Sequence, residues 1–93
     1  MIRYIGTRSY EVAISGWVIS GNYNMSSDPE MINISGIVNR NGVTMVLSFN
    51  AICENDSRKY SFSDIIDLEG FLEAAPIISE AVDEVINEIK NNR

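Results

Sequence analysis

Histidine is absent from this sequence, and cysteine occurs once, at Cys53. Histidine is the usual base near neutral pH and the commonest metal ligand, so its absence excludes most catalytic triads and metal sites. A lone cysteine permits no internal disulfide, which makes a cytoplasmic location the default expectation. Cys53 lies beside an acidic turn, so we expect it to be structural rather than a nucleophile. We therefore expect no enzyme activity, no metal and no cofactor.

Basic residues are scarce as well: seven Lys and Arg stand against 13 Asp and Glu, which gives a formal net charge of -6. Direct binding to nucleic acid is disfavoured, because Lys and Arg are the residues that contact phosphate. No apolar run reaches the about 20 residues that span a membrane. The chain also lacks a phosphate-binding loop, a dinucleotide fingerprint and a nucleophile elbow. The expected ligand is therefore another protein, in particular a basic one.

What remains is an ordinary globular composition, with 45% hydrophobic and 22% charged residues in a chain of 93. That length fits a single domain with one core. We predict the α+β class, with a four- to five-stranded antiparallel β-meander over residues 1–63. A C-terminal helical part over residues 64–91 is expected to cover one face of the sheet.

Alternation of apolar and polar residues predicts the strands. Asn41-Gly42 is a strong hairpin signal, since both residues tolerate the positive φ of a type I′ turn. Residues 21–30 have the composition of a loop. The predicted strands cover residues 10–20, 31–39, 43–53 and 58–62, with residues 2–5 as a short strand or an extended arm.

The triplet Ile-Ser-Gly occurs three times, at residues 14–16, 19–21 and 34–36. Glycine weakens a strand unless something must approach closely, so the repeat predicts a glycine notch shared by two neighbouring strands. Antiparallel alignment of the first and third copies places Gly16 opposite Ile34. We expect the helix to pass over this notch.

The turns also predict a strand register. A two-residue turn at Asn41-Gly42 pairs Val38 with Met45, and the turn over residues 54–57 pairs Phe49 with Phe62. In this register the apolar residues share one face, which a slip by one residue would destroy.

The C-terminal part has helical periodicity, because its apolar residues recur at steps of three and four. Pro76 interrupts the pattern, since proline lacks the amide hydrogen and clashes with the preceding turn. Either one helix bends there or Pro76 opens a second helix. The predicted apolar stripe contains Leu68, Phe71, Leu72, Ala75, Ile78, Val82, Val85, Ile86 and Ile89.

Five glutamates share another face of this helix. No Lys or Arg interleaves with them before Lys90, so no i,i+4 ion pair offsets their mutual repulsion. One interpretation is a contact surface for a basic partner, which would bind these carboxylates as it binds the phosphates of a nucleic acid. The other is the solvated outer face that any helix packed on a sheet presents. The five residues are Glu69, Glu73, Glu80, Glu84 and Glu88.

The sheet face turned away from the helix is a second candidate surface. It is predicted to carry apolar residues among Ser and Asn, with charge only at Glu11 and Lys59. Such a surface fits self-association or partner binding, and tryptophan is favoured at binding hot spots. Alternatively, the N-terminal arm and the 21–30 loop cover this face, or its apolar residues are scattered surface residues of the kind that most proteins expose. The contact residues predicted here are Trp17, Ile19, Ile37 and Val46.

Three functional hypotheses follow. The first is a non-enzymatic, acidic protein-binding module, for example an inhibitor that blocks a basic site on a larger protein. Small viral anti-defence proteins of phages share this general profile, which is an analogy of composition only. The second is a structural or assembly protein that forms a homo-oligomer through its uncharged sheet face. The third is a small-molecule site between subunits, with Arg3, Tyr4 or Tyr23 as contacts.

Overall fold

A computed structural model describes residues 6–27, 30–40, 44–54 and 57–91. It contains a five-stranded antiparallel sheet and one C-terminal helix, which confirms the predicted α+β class. Residues 2–5 and the Asn41-Gly42 turn lie outside the described residues. The elements are β1 Gly6–Ile14, β2 Trp17–Ser27, β3 Glu30–Arg40, β4 Thr44–Glu54, β5 Ser57–Ser63 and α1 Leu68–Asn91.

The sheet is a meander in the order β1-β2-β3-β4-β5, so every strand pairs with its neighbour in sequence. Short connections favour this arrangement, because consecutive strands then lie side by side. The predicted strands at 31–39, 43–53 and 58–62 correspond to β3, β4 and β5 within one residue at each end.

The prediction of one strand over residues 10–20 is wrong, because the chain reverses at Ser15-Gly16. Both residues have positive φ, 50° and 86°, and they connect Ile14 to Trp17, which pair across the hairpin. Two central residues of positive φ match the right-handed twist of the flanking strands. The predicted loop at 21–30 is also wrong for most of its length, since β2 continues to Ser27.

The glycine notch exists, but between different residues from those predicted. Gly21 pairs with Gly36, whereas Gly16 lies in the turn and does not face Ile34. The second and third copies of the triplet are therefore the ones that meet.

The register between β3 and β4 differs from the prediction by two residues. Val38 pairs with Leu47 rather than Met45. One residue of this shift comes from the pairing of Arg40 with Thr44, where the two-residue turn predicted Val43, and the other comes from a bulge between Val38 and Asn39 that leaves Val46 as an extra residue. An even shift keeps each side chain on its predicted face beyond the bulge. The predicted pairing of Phe49 with Phe62 is confirmed.

Tyr10 occupies the glycine notch, which was predicted to make room for the helix. It lies opposite Gly21, and its hydroxyl donates a hydrogen bond to the Ser35 carbonyl, with an O–O distance of 3.0 Å. A Cβ atom at Gly36 would collide with this hydroxyl and would lie 2.8 Å from the Ser20 carbonyl oxygen. An aromatic side chain lying over strand glycines restores the packing surface that they lack.

The helix α1 is continuous from Leu68 to Asn91 with Pro76 inside it, so Pro76 does not open a second helix. The core lies between the helix and one face of the sheet. Its sheet residues are Trp17, Ile19, Met25, Ile32, Ile34, Val38, Val46, Leu47, Phe49, Ala51 and Cys53, and its helix residues are Ala74, Ile78, Ala81, Val82, Val85, Ile86 and Ile89.

The predicted apolar stripe is correct in the second half of the helix and wrong at its start. Leu68 and Leu72 are each 64% exposed, while Gly70 and Ala74 take the buried positions. A Cβ atom at Gly70 would lie 2.9 Å from the Val46 side chain, so only glycine permits this close approach. The close contact at Gly70 turns the two leucines away from the sheet.

We predict that Gly36→Ala lowers the free energy of unfolding by about 1–3 kcal/mol, because the new methyl group enters a filled space. In a Tyr10→Phe background, which itself costs about 1 kcal/mol for the lost hydrogen bond, the penalty of Gly36→Ala should be smaller. Urea unfolding of the four proteins in this double-mutant cycle measures the difference. Equal penalties in both backgrounds would show that Tyr10 does not fill the notch.

Candidate partner-binding surfaces

The five glutamates of α1, which we call the acidic face, are all exposed in the structure. These glutamates do not form one uniform surface, because the sheet residues that lie beside them differ from one end of the helix to the other. Glu80 and Glu84 form no ion pair with any other described residue. The members of the acidic face are Glu69, Glu73, Glu80, Glu84 and Glu88.

Glu73 is part of an ion-pair cluster that joins the end of β3 to the start of the helix. The Arg40 guanidinium lies 3.4 Å from a Glu73 carboxylate oxygen and 3.5 Å from one of Asp67. The same guanidinium lies 5.2 Å from the centre of the Trp17 ring, in a cation–π contact. Exposed pairs contribute about 0–1 kcal/mol each, so this cluster positions the helix more than it stabilises it.

A second link between the helix and the sheet is the ion pair of Arg58 with Asp83. Like the cluster around Arg40, it joins residues that are far apart in the chain. The sequence predicted a helix on one face of the sheet but not which helix residue lies beside which strand residue, so residue spacing alone could not reveal these ion pairs. Together they pair two acidic residues of the helix, Glu73 and Asp83, with arginines of the sheet.

A groove of about 410 Å³ lies between β1 and the helix. Among the described residues, three carboxylates and no Lys or Arg border it. Glu84 and Glu88 therefore line a groove rather than an open helix surface. The lining residues are Ser9, Tyr10, Glu11, Val12, Ala13, Tyr23, Glu84, Val85 and Glu88.

The placement of Trp17, Ile19 and Val46 on the sheet face away from the helix is wrong. They are core residues, with exposed fractions of 8%, 0% and 1%. The turn at Ser15-Gly16 reverses the phase of β2, which moves Trp17 and Ile19 to the helix side. Val46 is the extra residue of the bulge and packs against the helix at Gly70.

Ile37 remains on the sheet face away from the helix, which we call the open face, and is 40% exposed. Its neighbours on the central strands are polar and uncharged. A cross-strand row of serine and asparagine runs beside it across all five strands. The row consists of Ser9, Asn22, Ser35, Asn50 and Ser61.

An apolar patch at the start of the helix was not predicted. Ile65, Ile66, Leu68 and Leu72 are 43%, 68%, 64% and 64% exposed. The segment is anchored, because the Ile66 amide donates a hydrogen bond of 2.9 Å to the Val46 carbonyl. Groups of exposed apolar residues mark interaction sites. The sequence carries one hint, since Gly70 and Ala74 continue the buried phase of Ile78 towards the helix start.

The Cys53 thiol and the Tyr10 phenol, two potentially reactive groups, lie in packed surroundings. Cys53 is buried, and this burial raises the pKa of its thiol, while Arg58 lowers it and Asp83 raises it further. Burial likewise raises the pKa of the Tyr10 phenol. Within the described residues, no three Cys, Asp or Glu side chains converge as metal ligands.

Comparisons of the chain with protein-family models, curated proteins and solved structures gave no significant match. In the described part of the chain, no helix is both long enough and apolar enough to cross a membrane.

We predict that Cys53 of the folded protein reacts with iodoacetamide at neutral pH at least about tenfold more slowly than in urea, because the buried thiol is protonated. Since the pKa is raised, the rate in the folded protein should rise only above the ordinary thiol range. Mass spectrometry over time and pH measures both effects. Equal rates in the folded and unfolded protein would contradict this placement.

Proposed function

We propose that this chain is a non-enzymatic protein-binding module that captures a basic partner through its helix. In the form of an inhibitor, including one of the viral anti-defence type, it would cover a basic site on a larger protein. The observation that carries the proposal is the pair Glu80 and Glu84, which are exposed and unpaired among the described residues.

The net charge supports attraction to a basic surface over long range. A chain with a formal net charge of -6 accelerates its encounter with a positive partner and repels acidic competitors. Glu73 is excluded from the contact set, because Arg40 already holds it. The proposed contact residues are thus Glu80 and Glu84 in the second half of the helix.

A solvated helix face explains exposed glutamates but not their position beside a groove. Glu84 and Glu88 border a cavity that Glu11 of β1 also lines, so carboxylates from the helix and from the sheet surround it. Such a negative environment favours a cationic partner.

We predict that Glu80→Gln/Glu84→Gln abolishes capture of basic proteins from a host lysate, because it removes two charges without changing side-chain shape. The control is Glu54→Lys, which changes net charge by the same amount at the end of β4, away from the helix. Mass spectrometry of the captured proteins at low and high salt reads the result, since screening weakens exposed pairs. Equal loss with both variants would show that net charge alone acts, and unchanged capture would contradict the proposal.

A self-associating assembly protein is the second candidate, and the open face favours it. Its central strands carry only Ser, Asn and apolar residues in the rows around Ile37, and Glu11 and Lys59 lie on the edge strands. An uncharged face can pack against a second copy without burying an unpaired charge.

We predict for this candidate that Ile37→Lys dissociates the oligomer, because it places a charge at the centre of the contact. Leu72→Lys is the matched control, since it makes the same kind of change on the apolar patch. Light scattering over a concentration series gives the mass of each protein. A wild-type protein that stays monomeric throughout, or an oligomer lost only with Leu72→Lys, would contradict self-association through the open face.

A further inference from the structure

The groove beside β1 reaches the main chain of this edge strand. Five consecutive residues, Ser9 to Ala13, line it, together with Tyr23 of β2. Successive side chains of a strand point to opposite faces, so a cavity that borders all five contacts the main chain of β1 as well as its side chains. The groove is therefore bounded by main chain on one side and by the helix on the other.

This edge of β1 has no strand partner among the described residues, because the sheet order ends there. Alternate residues of an edge strand direct their N–H and C=O groups outwards, where another extended chain can pair with them. The carboxylates alone would attract any cation. The unpaired strand edge is a feature independent of these carboxylates, and it favours a ligand with an extended peptide backbone.

We propose that the groove binds an extended, basic segment of a partner protein, which adds to the sheet as a sixth strand beside β1. This inference rests on the proposed function and specifies the part of the partner that is recognised. Main-chain hydrogen bonds to β1 supply affinity, and the side chains of the added strand supply specificity.

The spacing of the helix carboxylates suits such a strand. Glu84 and Glu88 are four residues apart, which is about 6 Å along a helix. Side chains on one face of a strand are two residues apart, or about 7 Å. A segment with Lys or Arg at alternate positions therefore directs two successive cations at Glu84 and Glu88, while Glu11 lies beside the opposite face of the sheet.

The charges favour a basic segment over a second copy of this chain. Of the nine described residues that line the groove, three are glutamates and none is basic. Pairing of β1 with β1 of another copy would bring two such sets of carboxylates together, and like charges in close contact oppose binding.

The test uses a short synthetic peptide that alternates lysine with valine, and two control peptides of the same charge. One control carries N-methyl groups on the backbone amides of one edge, and the other has its lysines in one block. Calorimetry on the full chain measures affinity. Exchange of the Ser9–Ala13 amides, followed by NMR, reports whether the strand edge becomes paired.

We expect the alternating peptide to bind at least about tenfold more tightly than either control. We also expect it to slow exchange of the outward amides of β1. Glu84→Gln/Glu88→Gln should weaken this binding by about tenfold or more, while Glu54→Gln/Glu69→Gln, which carries the same charge change outside the groove, should preserve it.

Three outcomes would overturn the inference. Equal binding of the N-methylated peptide would show attraction by charge without strand addition. Protection of Ser9–Ala13 that rises with protein concentration alone would identify a second copy as the occupant. Protection already complete in the free monomer would show that the edge is covered. None of these outcomes decides whether Glu80 and Glu84 capture basic proteins, which is tested separately. The two proposals can therefore fail independently.

Discussion

The turn at Ser15-Gly16 determines how the rest of the sheet is built. Its two positive φ angles reverse the chain within two residues, so Ile14 and Trp17 fall on the same face. This phase directs Trp17 and Ile19 towards the helix and places Tyr10 opposite Gly21. Without that pairing, Tyr10 would have no space in which to lie across β2 and reach the Ser35 carbonyl. A single tight turn thereby decides which residues of the first two strands face the helix and which lie on the open face.

The helix docks through small residues at its start and through branched residues along the rest. Gly70 and Ala74 allow a close approach at the bulge around Val46, and Arg40 holds this end through Asp67 and Glu73. Close packing at the start turns Leu68 and Leu72 outwards. The same docking places Glu84 and Glu88 beside β1, whose outer edge has no strand partner among the described residues.

The sequence predicted those features that depend on local pattern. Alternation located β3, β4 and β5, the short turn before β5 set the pairing of Phe49 with Phe62, and helical periodicity identified Ile78 to Ile89. It failed at Ser15-Gly16, because Trp17, Val18 and Ile19 are all apolar and either phase of alternation fits them. The Ser-Gly dipeptide itself is a turn signal and could have revealed the break. The bulge at Val46 and the ion pairs of Arg40 depend on contacts between distant elements, which spacing along the chain does not encode.

Trp17 is the only tryptophan of the chain, and it lies buried beneath the Arg40 guanidinium. Its indole therefore senses the point at which the first hairpin, the end of β3 and the start of the helix come together. Fluorescence from this one ring reports the docking of the helix start on the sheet, without an added label and without contributions from any other tryptophan. Trp17, which the sequence predicted for the open face, thus provides an intrinsic optical probe of the assembled fold.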